Sequence, residues 1–358
     1  MKIVIDARFT RTDHHDGISR YGASLIAATA KIADVSMLIS DPRQLALLPD
    51  VPYTLISSPL SPLELFVARK VNAVGADVVV CPMQTMGTWG RKYGLILTLH
   101  DLIYYEHPAP PGFLPAPVRL LWRLYHKAFW PQRLLLNRAD TVATISRTTE
   151  ALMAKYRLTR RPVRIIANAP QPAQEPRDPR EGADKTIIYM GSFMPYKNVE
   201  TMVAGMAGLT GYTLHLLSRI TPQRRSELET LVAPGASVVF HNGVTDEEYD
   251  ALLRRATALV SLSRAEGYGL PLVEAMAVGT PVIASDIPIF REVGGDAALY
   301  VDAESPAQFA DAVGQLQDGA HWQDLSGRSV ARAAQFSWDE SARQLVDAAH
   351  EVMAKRRR

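Results

Sequence analysis

The sequence predicts an α/β protein of two doubly wound domains, each a parallel sheet covered by helices. Three observations carry that expectation. The 358 residues exceed what a single hydrophobic core usually serves. Short apolar, β-branched runs alternate with helical patterns along most of the chain, as for parallel strands buried on both faces. The alternation is interrupted once, between Pro170 and Asp184, by a run with four prolines, dense charge and no apolar period. That run reads as the connection between domains.

The elements follow in order. In the first half, 2–5, 35–39, 77–80, 95–99, 141–144 and 163–166 read as strands, being short and apolar on both sides. Helical spacing falls between them at 19–32, 63–74, 116–138 and 147–156. In the second half the strands are 186–190, 213–217, 238–241, 258–262 and 281–284, with helices at 199–207, 222–231, 246–256 and 271–278.

Composition excludes several classes. Hydrophobic residues make up 47% of the chain and charged residues 21%, which is globular rather than disordered. Cys81 is the single cysteine, so no intrachain disulfide forms, which fits a reducing compartment. The start, Met1-Lys2-Ile3-Val4-Ile5-Asp6, is a strand broken by charge and not a signal peptide. No run of about 18 apolar residues exists to span a membrane. The expected location is therefore cytoplasmic. Net charge is +2, but residues 1–170 carry 21 Lys+Arg against 12 Asp+Glu, or +9, and the remainder 18 against 25, or −7. The basic half is either a solvated surface or a face for anionic lipid or a phosphate-bearing acceptor, at the inner face of the membrane. No nucleic-acid partner is expected.

The most informative segment is Glu266-Gly267-Tyr268-Gly269-Leu270-Pro271-Leu272-Val273-Glu274. Two carboxylates stand eight residues apart, separated by two glycines and a proline that suits the first position of a helix. Ala275 to Val278 continue that helix, Gly279 suits its end, and 281–284 form a strand. This places Glu266 on the entering loop and Glu274 in the first turn. The free N–H groups of such a turn make an anion site. Carboxylates beside it suit hydroxyls, as on a ribose or hexose. A dinucleotide fingerprint would need glycine where Leu272 stands, and no P-loop ending in Gly-Lys-Ser/Thr is present. A glycosidase carboxylate pair and plain helix capping are the remaining readings of the glutamates alone.

The whole segment, E-x7-E followed by A-M-A-x-G-x-P-V-I-A, resembles the donor-site motif of retaining glycosyltransferases of family four, which have the GT-B fold. The resemblance covers nearly the whole chain and is strongest over 186–302. It implies two Rossmann-like domains facing across a cleft. The acceptor-side domain spans 1–169 together with a terminal helix at about 338–358 that crosses back to it, and the nucleotide-sugar domain spans 170–337. It also implies a nucleotide-sugar donor, a glycan or lipid-linked acceptor, and neither cofactor nor metal. Among donors GDP-mannose is favoured, with UDP sugars open.

The resemblance assigns roles by position. Glu266 would bind donor-sugar hydroxyls, near the backbone N–H groups of Gly267, Tyr268, Gly269 and Leu270, and Glu274 would bind ribose. In Gly191-Ser192-Phe193-Met194-Pro195-Tyr196-Lys197, Lys197 holds the place of the lysine that neutralises the diphosphate. A fixed ammonium there favours the transition state over the ground state. Members often carry arginine where this chain has Ser192, so a second cation is missing, and Arg219 and Arg264 are candidates to supply it. Asp16-Gly17-Ile18-Ser19-Arg20-Tyr21 resembles a glycine-rich loop that has lost two glycines, with Gly17 left for close approach. His100, ending a strand, corresponds to a histidine that contacts the transferred sugar. Asp101 would orient its loop or bind acceptor hydroxyls. Val244, in His241-Asn242-Gly243-Val244-Thr245-Asp246-Glu247-Glu248, would read the nucleobase through backbone groups.

Asp13-His14-His15-Asp16 has metal-ligand residue types, but four adjacent residues on a loop rarely converge on one ion. The stretch 117–138 mixes aromatics with bases, including Arg119 and Arg123. It suits an interfacial helix or a lipid-phosphate acceptor site, or else a core helix with a basic solvated side. Two other classes stay open: a sugar phosphorylase or epimerase of the same fold, and a catalytically silent nucleotide-sugar-binding subunit.

Overall fold

The computed structural model describes residues 1–108, 110, 115–171 and 175–357. The chain divides into two compact units, one of Met1–Asn168 with Ser337–Arg358 and one of Ala169–Phe336.

The first unit is built on a parallel sheet of β1 (Lys2–Asp6), β2 (Asp34–Ile39), β3 (Tyr53–Leu55), β4 (Val78–Cys81), β5 (Gly94–Leu99), β6 (Thr141–Thr144) and β7 (Val163–Ile165). Among the described residues the order is β3-β2-β1-β4-β5-β6-β7. β1, β4, β5 and β6 are buried along almost their whole length, as strands covered by helices must be. α1 (Gly17–Ala30), α2 (Val67–Ala73), α3 (Ile103–Glu106), α4 (Ala116–His126), α5 (Trp130–Leu136) and α6 (Arg147–Lys155) connect them, and α14 (Trp338–Arg356) returns from the far end of the sequence. α14 lies on α1 and on β5, close enough that a Cβ on Gly94 would stand 2.4 Å from a Val352 methyl. Ser341 Oγ donates to the Ala167 carbonyl at 2.7 Å, and Glu351 pairs with Arg164 at 2.6 Å.

The second unit orders its strands β10-β9-β8-β11-β12-β13. These are β8 (Asp184–Tyr189), β9 (Thr213–Leu216), β10 (Ser237–Phe240), β11 (Ala256–Ser261), β12 (Val282–Ser285) and β13 (Ala298–Val301), all parallel to their neighbours. α7 (Val199–Gly205), α8 (Pro222–Glu229), α9 (Asp246–Arg255), α10 (Leu270–Ala277), α11 (Pro288–Gly294), α12 (Pro306–Gln315) and α13 (Gly319–Ala333) complete it. Its core gathers Tyr189, Met202, Leu214, Val260, Ile283, Phe309 and Trp322.

Several expectations need correction. The helical pattern over 116–138 is two helices, α4 and α5, because Pro131 lacks the N–H to continue a helix and instead takes a first-turn position in a new one. The reading of this stretch as a core helix fails for α4, which buries none of its residues, whereas α5 places Leu136 in the core. The connection read over 170–184 holds a 3₁₀ turn at Pro179–Glu181 and already enters β8 at Asp184, and 172–174 of it lie outside the described residues. Arg358 does so too.

Candidate functional site

In the second unit, β8 and β11 are central and adjacent, and the loops leaving their carboxyl ends carry the main candidate residues. After β8 the chain turns at Gly191. The Tyr189 hydroxyl donates to the Ser192 carbonyl at 2.6 Å and lies 2.7 Å from where a Cβ on Gly191 would stand, so glycine is required there. A 3₁₀ turn at Pro195–Lys197 then presents Lys197, and Asn198 follows in the left-handed region at φ 53°. After β11 the chain runs through Ser263 and Arg264 to Glu266 and enters α10.

These loops meet at one ion pair. Lys197 Nζ stands 2.5 Å from Glu266 Oε1, with side-chain exposures of 16% and 12%. Ser263 Oγ donates to the same carboxylate oxygen at 2.8 Å. The pair joins residues 69 apart in sequence, and its partial burial makes each charge depend on the other. Gly269 at φ 95° turns the chain into α10, and a Cβ there would lie 2.8 Å from the Phe290 ring. The amides of Gly267, Gly269 and Leu270 donate no hydrogen bond among the described residues. They remain available to an anion. Tyr268 is buried, edge-on to Phe336 at 6.2 Å.

Glu274 departs from its expected place. α10 begins at Leu270, so Pro271 is its second residue and Glu274 its fifth, beyond the first turn. It is half-buried, and Tyr249 of α9 donates to its Oε2 at 3.2 Å. Gly279 follows the helix at φ 81°, as a residue ending a helix in the left-handed region should.

The two candidates for a second cation differ sharply. Arg264 is held by Glu304 at 2.5 and 2.8 Å, by the Pro195 carbonyl at 2.8 Å and by Asn198 Oδ1 at 2.9 Å. Its charge is already balanced, and it serves to pin the Lys197 turn to the loop after β11. Arg219 is exposed and makes no side-chain hydrogen bond or ion pair among the described residues. The residue before it, Ser218, accepts from the Gly191 amide at 3.1 Å. Arg219 therefore stands on a loop latched to the turn that carries Ser192. Asn242 Oδ1 accepts from the Ile220 amide at 3.0 Å and the Gly243 amide donates to the Leu217 carbonyl at 2.9 Å, which brings the Val244 loop alongside.

In the first unit, His100 follows β5. Its Nε2 lies 2.7 Å from the Pro82 carbonyl, so this nitrogen carries the proton and donates. Burial lowers its pKa and keeps the ring neutral near pH 7, although the Pro82 bond opposes the shift. Tyr21 meets the ring edge-on at 5.0 Å. The other nitrogen, Nδ1, makes no hydrogen bond among the described residues. Asp101 Oδ1 accepts from the Ile103 amide at 3.0 Å and so starts α3. Gly17 opens α1 with φ outside the left-handed region, and a Cβ on it would meet nothing within 4 Å. The protein's own packing does not require glycine there.

The residues of 13–16 work separately. Asp16 caps α1 through the Ser19 amide and pairs with Arg11 at 2.7 Å, His15 bonds Ser19, and His14 pairs with Asp13. Arg119 is half-buried and Arg123 exposed, both on α4.

Sequence reasoning missed Ser263, Asn198, Ser218, Tyr249 and Glu304, which hold the named residues in place. It also missed a buried ionic cluster in which Arg8 bonds Asp6 and Glu64 at 2.6 to 2.8 Å. Burial opposes the charge on Arg8, but the two carboxylates overcome it and raise its pKa. An aspartate ending the apolar strand β1, with an arginine two residues on, was the available signal.

Comparison with known proteins places this fold. Over 99% of both chains the structure superposes on sucrose-phosphate synthase from Thermosynechococcus elongatus with TM-score 0.76 at 22% identity. It superposes on the Anabaena protein HepE in complex with UDP and glucose with TM-score 0.72 at 17% identity, covering 97% of this chain and 99% of that one. The fold is that of the GT-B glycosyltransferases. Residues 35–172 match the family described as Glycosyltransferase Family 4, and residues 184–318 match Glycosyl transferases group 1. The chain belongs to the family-four glycosyltransferases. The O-antigen chain mannosyltransferase RfbU of Salmonella typhimurium is 24% identical over 84% of this chain and 87% of its own. O-antigen chain mannosyltransferase B of Escherichia coli is 32% identical over 45% of this chain, which spans under half of that protein.

Proposed function

We propose that this protein transfers a hexose, with mannose favoured, from a nucleotide sugar to a glycan or lipid-linked acceptor with retention at the anomeric carbon. The observation that carries the reading is the Lys197–Glu266 pair set beside the unengaged amides of Gly267, Gly269 and Leu270. It offers a cation and N–H donors for a diphosphate and a carboxylate for sugar hydroxyls within one small region.

Lys197 and Glu266 satisfy each other while the donor is absent. A diphosphate draws the ammonium, and the hexose hydroxyls donate to the released carboxylate. As the glycosidic bond to phosphate breaks, negative charge grows on the leaving diphosphate, and Lys197 with the helix-entry amides stabilises that growth. The departing phosphate oxygen then accepts the acceptor's proton on the same face, so no side-chain base is needed. Arg219 is the second cation in place of the arginine absent at Ser192. His100, neutral and donating through Nε2 to Pro82, keeps Nδ1 as an acceptor for a sugar hydroxyl. Glu274 accepts from ribose and Tyr249 orients it. Gly17 leaves room for the ligand, since among the described residues nothing would lie within 4 Å of a Cβ there. These groups supply the neutralising charge without a metal or cofactor.

The mannosyltransferase relatives support GDP-mannose, and the UDP-glucose complex of HepE keeps UDP sugars in the comparison. The test is a metal-free panel of GDP-mannose, UDP-glucose, UDP-GlcNAc, UDP-galactose and GDP-fucose, read by thermal shift and by nucleoside diphosphate release. Stabilisation and slow hydrolysis with GDP-mannose are expected. Stabilisation without release, with acceptors supplied, would instead establish the silent binding subunit that Ser192 suggests.

A further inference from the structure

Three serines stand where two buried strands of the second unit end. Ser261 closes β11, Ser285 closes β12, and Ser263 lies two residues past β11. All three are buried, Ser263 and Ser285 completely. Their chain neighbours Val260, Leu262 and Ile283 belong to the apolar core. A buried hydroxyl costs stability unless it is hydrogen-bonded, so each of these protons needs an acceptor.

The protons run in one direction. Ser263 Oγ donates to Glu266 Oε1 at 2.8 Å. A hydroxyl has one proton to give, so Ser261 Oγ, 3.3 Å away, is the donor to Ser263 Oγ. Ser285 Oγ donates to the Ser263 carbonyl and so fixes the backbone of the same residue. The chain of hydroxyls ends on one oxygen of one carboxylate. Lys197 takes that same oxygen, and Glu266 Oε2 accepts no hydrogen bond among the described residues.

The two holds on Glu266 respond differently to a ligand. Lys197 is a charge on a flexible stem, and a diphosphate competes for it. Ser263 is neutral, short and fixed from two sides, and ligand charge does not draw it away. Once Lys197 turns to the diphosphate, the Ser263 hydroxyl opposes the rotamer freedom that a released glutamate regains.

We infer that Ser263, anchored by Ser261 and Ser285, is a positioning residue that holds Glu266 Oε1 while Lys197 is engaged by the diphosphate, so that Oε2 meets a sugar hydroxyl already oriented. Ser263 acts through Glu266 and not on the substrate itself. The inference rests on the proposed transfer from a nucleotide sugar, and it gives Ser263 a part in the sugar half of donor recognition and none in the nucleotide half.

The test compares the unaltered protein with Ser263→Ala and with Ser263→Cys, which refills the space but donates weakly. Hydrolysis of the nucleotide-sugar panel, GDP-mannose first, is read beside calorimetric binding of free GDP and UDP. In both variants kcat/KM for the sugar donor should fall about tenfold, as for a lost hydrogen bond to a charged group, while free diphosphate binding moves by less than about twofold. On a Glu266→Ala background the hydroxyl has nothing to hold, and Ser263→Ala should add less than about twofold. Ser261→Ala keeps the Ser263 hydroxyl but removes its donor. It should show a smaller loss of the same pattern, and it carries the test if Ser263→Ala does not fold. Unchanged turnover in Ser263→Ala, or in Ser261→Ala where that variant carries the test, overturns the inference. So does normal turnover in Ser263→Cys, an equal loss of free diphosphate binding, or the full loss on the Glu266→Ala background. Hydrolysis of no panel donor by the unaltered protein overturns the proposed transfer, and this inference with it.

Discussion

Replacing Lys197 by Met tests the site at its centre. The substitution keeps the aliphatic stem but leaves Glu266 without its cation, holding only the hydrogen bond from the Ser263 hydroxyl at 2.8 Å among the described residues. Breaking a fully buried pair costs about 3–5 kcal/mol, and exposed pairs contribute about 0–1 kcal/mol. With exposures of 16% and 12%, this pair falls between, at about 1–3 kcal/mol. For a unit of this size that lowers the unfolding temperature by roughly 2–10 °C. If Lys197 also stabilises the leaving diphosphate, turnover should fall by about 10²–10³. The two effects separate in a double-mutant cycle. Lys197→Met with Glu266→Gln removes both charges, so stability should recover by about 1–3 kcal/mol relative to the sum of the singles, while turnover stays low. Thermal unfolding and nucleoside diphosphate release measure the two arms. Turnover in Lys197→Met within about threefold of the unaltered protein would refute the catalytic role. Purely additive stabilities would refute the pair.

Arg219→Ala should slow turnover by about tenfold or more with little loss of stability, whereas Arg264→Ala should chiefly destabilise, because its guanidinium joins Glu304, Pro195 and Asn198. Steady-state kinetics beside thermal melts distinguishes them. Glu274→Ala should weaken donor nucleotide binding by about tenfold in calorimetry, as expected for losing a charged acceptor of ribose hydroxyls. Gly269→Ala should cost about 1–3 kcal/mol in denaturant unfolding, since φ is 95° and the new methyl would meet Phe290. For His100 the folded pKa lies below its ordinary 6.5, so the unfolded chain binds the extra proton first. Its contribution is present above about pH 6.5 and is lost as pH falls toward the folded value, and His100→Gln should flatten that acid slope in melts at pH 5–7.

Periodicity revealed much of the architecture and little of the wiring. Buried strands such as β5 and β11 are continuous apolar runs and could be read within one or two residues. β3 could not: it is three residues long and half exposed at a sheet edge. β13 and helices α11 to α13 were not read either. β13 has four residues, two of them only half-buried, and α13 starts on glycine and dilutes its apolar face with Gly327 and several polar residues. The glutamates and Lys197 were legible through the motif around them. Their contact was not, because nothing local links residues 69 apart until β8 and β11 lie side by side. The same holds for Arg264 and Glu304. Two readings of 117–138 stayed open because a helical wheel shows which residues share a face, and packing alone decides which face turns inward.

The return of α14 to the first unit has a consequence for how the protein is made. Gly94 opens β5 against Val352, and Tyr21 of α1 faces Trp338 at 5.9 Å. A ribosome delivers Gly94 and Tyr21 early, but their partners emerge only after the whole of the second unit. At about 5–20 residues per second, that delay is roughly 15–60 s. The second unit is continuous in sequence and can close first, so the usual order of assembly, with the earlier domain finished before the later, is inverted. Through that interval β5 and α1 lack their cover and invite chaperones. Premature termination anywhere before residue 337 would damage the unit that was synthesised first.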